Sequence, residues 1–298
     1  MAFPHLLWYC YLLGLLNTAT SAERKNTRTA LLIIDVQDCF VEGGSLAVSN
    51  GSQIIPVINR VRKEFGDEFD VVVMSKDWHC PDHVSFAASH PGKNVGDVIN
   101  LTYTLDGHLC SDQDYPTTVP DLVKCPPTGT NKKIQQMVWP VHCVQNVTSG
   151  PTSSNIAESL FTTANDVIIY KGNHCQVDSY SAFYDNGRFG ETKLKNELTS
   201  RGIDTVYIVG LALDYCVYYT AKDAIELGFK TFVVKDACRG VAATTSAQAL
   251  EDIVAKGGQV VSSNNIFTSA AQPNCVSSVT SHQQLLFIAT VYIMAVFI

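Results

Sequence analysis

Charge is missing from both ends of this chain: among its 298 residues no Asp, Glu, Lys or Arg precedes Glu23 and none follows Lys256. Charge is sparse overall at 16%, against 46% hydrophobic residues, which excludes a disordered chain. Basic residues are outnumbered, 21 Lys+Arg to 28 Asp+Glu for a net charge of −7, which argues against a nucleic-acid surface. No internal repeat is visible, and 19 Gly and 11 Pro are ordinary counts, so collagen-like and low-complexity classes drop out. The apolar runs are also short. Leu6–Leu16 and Leu285–Ile298 both fall below the roughly 20 residues a membrane-spanning helix needs.

The two charge-free ends look like processing signals. Residues 1–22 close on Thr20-Ser21-Ala22, small residues that suit signal peptidase, although the segment has no Lys or Arg near its start. At the other end, residues 275–298 place a polar spacer before an apolar tail, the layout of a removed glycosylphosphatidylinositol (GPI) attachment signal. Asn274, Ser277 and Ser278 are the candidate attachment points. The competing readings are a buried N-terminal helix and a short C-terminal helix packed on the domain. The expectation is an extracellular, lipid-anchored protein at the cell surface.

Ten cysteines fit that compartment. Cys10 leaves with the leader. If Cys216 is a free nucleophile, Cys39, Cys80, Cys110, Cys125, Cys143, Cys175, Cys238 and Cys275 remain as disulfide candidates, with no connectivity deducible. Three N-x-Ser/Thr sequons, at Asn50, Asn100 and Asn146, are candidate glycosylation sites.

Between the ends, residues 23–274 read as one domain. Buried-strand patterns at 30–35, 71–74, 167–170, 206–209 and 231–234, with 260–261 as a short last strand, alternate with helix-like stretches at 54–65, 191–201, 215–227 and 246–256. That alternation predicts an α/β fold: a three-layer α-β-α sandwich around a mainly parallel, Rossmann-like central sheet. An insertion at about 80–153 shows no clear periodicity and holds four of the candidate structural cysteines, so it reads as a long cross-linked loop.

Three predicted strands end on chemistry. Asp35 closes the first strand, Lys171 closes another, and Cys216 sits at a strand-to-helix turn. Parallel topology gathers strand ends on one edge, where a thiol, a proton acceptor and a cation make a nucleophilic site. A helix N-terminus and a lysine are expected to lower the thiol pKa. Each residue also has a plain structural reading: Asp35 and Lys171 as an ion pair, Cys216 as a small buried apolar residue. Asp77-Trp-His79 follows the second strand, and residues two apart face one side, so the two side chains can share a metal such as zinc, iron or manganese. Further histidines follow at His83, His90, His108 and His142.

Five ordered blocks carry a closer likeness: 33–48 (Ile-Ile-Asp-Val-Gln, Phe40, Gly-Gly-Ser-Leu-Ala-Val), 76–79 (Lys-Asp-Trp-His), 139–143 (Trp-Pro-Val-His-Cys), 180–183 (Tyr-Ser-Ala-Phe) and 209–217 (Val-Gly-Leu-Ala-Leu-Asp-Tyr-Cys-Val). Together they resemble the nicotinamidases of the isochorismatase-like cysteine hydrolase superfamily. The resemblance implies hydrolysis of nicotinamide to nicotinate and ammonia, with Cys216 as nucleophile, Asp35 as general base and Lys171 as the stabilising cation. It implies one divalent metal, zinc first with iron or manganese as alternatives, on Asp77, His79 and His142, and it puts His83 roughly where some members have a fourth ligand. The metal would hold the pyridine nitrogen. It implies a cis peptide at Leu211–Ala212, an oxyanion hole from the backbone N–H groups of Ala212 and Cys216, and Phe40, Trp139 and Tyr184 as pocket walls. The family's Asn-Asp-Phe is here Asp38-Cys39-Phe40, so no role passes to Cys39. Cys143 belongs to a motif shared with intracellular members, which argues against a disulfide there. Another small amide as substrate, or an inactive anchored binding protein, are the alternatives.

Overall fold

The inner strands of the main sheet line up side by side because their aliphatic residues are apolar on both faces and are satisfied between two layers of helices. The computed structural model describes residues 27–267 except 112, 114, 127 and 128. The expected signal segment 1–22, the tail with Cys275 and the candidate anchor points lie outside the described residues. Two compact units divide after Asn264, and of the second only 265–267 are described, as the end of a short turn.

In chain order the strands are β1 (Thr29–Ile34), β2 (Val71–Asp77), β3 (Val98–Thr104), β4 (Asn131–Met137), β5 (Val167–Lys171), β6 (Thr205–Leu211), β7 (Lys230–Arg239) and β8 (Gln259–Val261). The helices are α1 (Ile54–Phe65), α2 (Leu194–Ser200), α3 (Tyr218–Glu226) and α4 (Ala243–Ala255). The main sheet runs β5-β2-β1-β6-β7-β8, and every neighbouring pair is parallel. The α/β sandwich expected from the alternation is therefore the fold.

Side chains alternate across β1. Ala30, Leu32 and Ile34 share a buried cluster with Leu194 and Leu198 of α2, Ala221 and Ala224 of α3 and Ile253 of α4. That leaves α1, with Ile54, Ile58 and Val61 buried, for the opposite face. Each such aliphatic side chain contributes roughly 1.5–3 kcal/mol on burial.

Element ends differ from expectation by a few residues. One change precedes α3, where Leu213–Val217 forms a π-helical turn ahead of the regular helix, with Cys216 inside it. β7 extends well past the expected strand, through a register shift between Ile208 and Gly210 of its partner.

The insertion is not an unstructured loop. β3 and β4 pair antiparallel from Val98↔Met137 to Thr104↔Asn131, and Ile99, Leu101 and Tyr103 point into a second small core with Val84, Leu109, Val119, Val138 and Val177. Cys110 pairs with Cys125 inside it, and Tyr103 Oη–H donates to the Gln176 carbonyl at 2.7 Å.

The cysteine expectations need two corrections. Cys143 does form a disulfide, with Cys39, and Cys80 pairs with Cys175. Cys238 is free and buried at the end of β7, where burial pushes its thiol up to about 12. Cys216 is the other free thiol among the described residues.

Candidate active site

The carboxyl ends of the parallel strands meet on one edge, and the chain is bent sharply there. Asp35 leaves β1 in the left-handed region at φ 49°, a conformation that costs a non-glycine residue about 1 kcal/mol or more. Opposite it, Gly210 (φ 124°) pairs with Ile34, and a Cβ would collide with the Ile34 carbonyl. Glycine there lets β6 close against the turn that aims Asp35. The next peptide along β6, Leu211–Ala212, is cis.

Lys171 is the hub. Its Nζ lies 2.9 Å from Asp35 Oδ2 and 2.5 Å from Asp77 Oδ1, donates to Cys216 Sγ at 3.4 Å, and donates to the Ser179 carbonyl at 2.9 Å. The side chains of Lys171 and Asp35 are both wholly buried. Oδ1 of Asp35 accepts the Ser75 hydroxyl at 2.6 Å, while Oδ2 faces Lys171 and takes no aligned hydrogen bond. Acceptor atoms of Asp35, Asp77 and Cys216 all lie within 4.8 Å of one another.

This burial sets the charges. It lifts the Asp35 carboxyl above its ordinary range; Asp77 adds to the lift, and Lys171 and Ser75 only partly oppose it. Burial alone pulls the Lys171 ammonium down, but Asp35, Asp77 and Cys216 outweigh it and hold it well above its usual value. The Cys216 thiol goes the opposite way from the sequence expectation. Burial raises it well above its normal pKa, two carboxylates reinforce that, and Lys171 offsets only part. The resting group is a thiol with a lysine beside it and a proton acceptor at hand.

On the other side of Lys171 are the candidate metal ligands. Asp77, His79 and His142 bring one donor atom each within 4.8 Å of one another, all buried. Asp77 Oδ1 serves Lys171, while Oδ2 lies 3.4 Å from His79 Nε2 and 3.8 Å from His142 Nε2. Both imidazoles are oriented from behind: His79 Nδ1 bonds the Gly172 carbonyl at 2.8 Å and His142 Nδ1 the Pro140 carbonyl at 2.7 Å. A carbonyl on Nδ1 puts the proton there and leaves the Nε2 lone pair for a cation. Burial, then the neighbouring His79, pushes His142 down to about 3, so it is neutral. This donor set fits a divalent transition metal. Gly172 (φ 61°) is needed in this arrangement, because a Cβ there would run into the His79 ring.

His83 stacks on His79 with ring centroids 4.0 Å apart, but its donor atoms group with His79 and Asp178 rather than with Asp77 and His142. Its Nδ1 is engaged by the Ser85 hydroxyl at 2.7 Å.

A small cavity opens over Cys216, His142 and Asp77, with Phe40, Trp139 and Ala212 in its wall. Tyr184 is not part of it. That ring lies under the Arg188 guanidinium, 4.8 Å from its centroid, and Tyr180 and Tyr215 take the wall instead. Tyr180 is fixed because its hydroxyl accepts from Gln136 Nε2 at 3.2 Å and Trp139 Nε1 at 3.3 Å. A wider open groove beside β5 includes Asp106, Phe189 and Lys193 but neither Cys216 nor a ligand histidine.

Two supporting residues escaped the sequence reading. Gln37 locks the Asp77 backbone at both ends, accepting its N–H at 2.8 Å and donating to its carbonyl at 3.0 Å. Ser75 holds Asp35 as described, and its signal was available: two residues before Asp77 in a strand, it faces the same side.

Residues 110–265 match the isochorismatase domain family. The chain is 39% identical over 238 residues to a nicotinamidase of Acinetobacter baylyi, an overlap of 80% of this chain and 94% of that relative. Among solved structures, the yeast nicotinamidase bound to the inhibitor nicotinaldehyde is similar with a TM-score of 0.66 at 29% identity, covering 78% of this chain and 99% of that one. The pyrazinamidase of Pyrococcus horikoshii in complex with zinc has a TM-score of 0.57 at 27% identity, covering 79% and 99%.

Proposed function

The chain belongs to the isochorismatase family, and within it we propose the reaction of a nicotinamidase: nicotinamide and water give nicotinate and ammonia. The observation that carries this reading is the Lys171 ammonium in contact with Asp35, Asp77 and Cys216 at once, which joins a nucleophile to a metal-ligand set under an aromatic-walled cavity.

The flat ring lies among Phe40, Trp139, Tyr180 and Tyr215, with the carboxamide over Cys216. Asp77, His79 and His142 would hold a divalent metal, zinc first with iron or manganese as alternatives, which would supply a Lewis acid for the pyridine nitrogen. Cys216 Sγ attacks the carboxamide carbon as its proton passes to Asp35, whose lifted pKa suits it to take a proton and return it. The oxyanion is received by the backbone N–H groups of Ala212 and Cys216, each such donor being worth about 10²–10³ in rate. Asp35 returns the proton to the departing amine, and ammonia leaves a thioester. Water then adds to the acyl carbon, with Asp35 again taking the proton, and nicotinate leaves as the thiol is restored. Lys171 stays charged throughout, which stabilises the sulfur as it gains charge. Dividing the reaction at a covalent intermediate lowers the barrier for a poor leaving group.

Turnover on a panel of aromatic and aliphatic amides tests the substrate. Nicotinamide is expected to give the highest kcat/KM; ammonia release from a different amide with nicotinamide inert would move the chain to another amidase of the family.

The setting belongs to the same proposal. Residues 1–22 export the chain, 275–298 are exchanged for a lipid anchor, and the enzyme works outside the cell. Support comes from three disulfides, which suit an oxidising compartment, and from the exposure of all three sequon asparagines, Asn50, Asn100 and Asn146. Phosphatidylinositol-specific phospholipase C is expected to release activity from intact cells; activity that stays on the membrane until detergent is added would refute the anchor.

A further inference from the structure

Both histidines of the proposed metal site are followed directly by a disulfide-bonded cysteine. His79 precedes Cys80, and His142 precedes Cys143. The far ends of the two bridges are equally specific. Cys143 is joined to Cys39, four residues after Asp35 and next to the wall residue Phe40; Cys80 is joined to Cys175, four residues after Lys171. Each bridge therefore ties a loop carrying a ligand histidine to the segment that directly follows a catalytic residue at a strand end.

The ligand histidines need such ties. Asp77 ends a central strand, but His79 and His142 lie in irregular backbone outside every named strand and helix. A site built on loops is less sharply held than one built on strands. The stretches spanned by the two bridges are 104 and 95 residues long, so the chain itself provides no short link between the tied segments.

Local geometry points the same way. Cys80–Cys175 joins the two segments that meet in the hydrogen bond from His79 Nδ1 to the Gly172 carbonyl, and the Cys175 carbonyl accepts from Val84 N at 2.8 Å. Cys143 is held at φ 46°, and its carbonyl accepts the His79 N–H at 3.0 Å, so the bridge to Cys39 also reaches the other ligand histidine. Phe40 packs its ring 5.5 Å from that of His142.

We propose that Cys39–Cys143 and Cys80–Cys175 are positioning cross-links that hold His142 and His79 in place to bind the metal, so that metal retention depends on these two bridges being oxidised. This rests on the metal-site reading above. The third bridge, Cys110–Cys125, lies in the insertion, spans 15 residues and adjoins no ligand. It is the internal control for a general loss of stability.

The test compares the full protein with the C39S/C143S, C80S/C175S and C110S/C125S variants. Two quantities are read: zinc affinity by competition with a chromophoric chelator, and the visible absorption of the cobalt-loaded protein. Each of the first two variants is expected to bind zinc at least about tenfold more weakly, the size of effect seen when supports behind metal ligands are removed, and to show altered cobalt bands. C110S/C125S is expected to match the parent in both. If a variant does not fold, the folded zinc-loaded parent is treated with a phosphine under native conditions. Each disulfide then takes two electrons and two protons to become two thiols, while the phosphine and water give the phosphine oxide. Zinc release before loss of far-ultraviolet circular dichroism supports the proposal. Unchanged zinc affinity in both active-site variants, equal weakening in C110S/C125S, or full zinc retention after reduction would overturn it. A parent protein that binds neither zinc nor cobalt would show instead that the metal-site reading is wrong.

Discussion

Cys216→Ala is expected to lower kcat for ammonia release from nicotinamide by roughly 10³-fold or more, in keeping with the loss of a covalent nucleophile. Cys216 is buried under the cavity, 3.4 Å from Lys171, and Cys238, the other free thiol among the described residues, is not in the cavity wall. The alanine variant keeps Phe40, Trp139, Tyr180 and the ligand set, so nicotinamide binding by calorimetry is expected to change little. A split of that kind, with turnover lost and binding kept, marks a group used only in the chemistry. Near-normal turnover in the variant would remove Cys216 from the mechanism.

Lys171→Met is expected to cost both activity and stability. The lysine side chain is wholly buried and pairs with two carboxylates, at 2.9 Å and 2.5 Å. Removing one member of a buried charge cluster leaves the others uncompensated, at a typical cost of 3–5 kcal/mol, readable from urea unfolding at neutral pH, roughly 7. The sign of the pH dependence follows. In the parent, Lys171, with His79 beside it, outweighs burial and depresses Asp77, a contribution present above the unfolded carboxylate pKa of about 4 and lost as pH falls through the folded value. Without the lysine, burial dominates and the folded carboxyls titrate higher. The deficit relative to the parent is therefore largest near neutral pH and shrinks as pH drops toward about 4–5. A methionine variant as stable as the parent at neutral pH would show that the cluster is not held by charge.

What was legible in the sequence was whatever repeats along the chain. The runs at 30–35, 71–74, 167–170 and 206–209 are apolar on both faces, and that alone implies parallel strands between helices. Once the strands are parallel, Asp35, Asp77 and Lys171 at their ends must share an edge. The β3–β4 hairpin was harder to see, because most of its outward residues are Asn, Thr, Lys and Gln, its buried apolar residues are Ile99, Leu101 and Tyr103 of β3, and the one buried residue of β4 is the polar Gln136. The period was present but short, inside a segment with many Pro and Thr.

Within the site, the misses all concern partners distant in sequence. Tyr180 and Tyr184 are one helical turn apart in number, yet the segment is not helical. Hydrogen bonds from Gln136 and Trp139 to its hydroxyl put Tyr180, not Tyr184, at the cavity. The pairing of Cys39 with Cys143 spans 104 residues. The direction of the Cys216 shift was not legible because sequence reveals the lysine and the helix start, but not the burial that outweighs them.

The central claim is that nicotinamide is hydrolysed through a thioester on Cys216. The most direct test is peptide mass spectrometry after acid quench of the zinc-loaded protein during turnover of nicotinamide. The account predicts a nicotinoyl adduct on the peptide containing Cys216, absent when Cys216 is replaced by alanine. Steady ammonia release with an unmodified Cys216 peptide, or a nicotinoyl group on another residue, would contradict it.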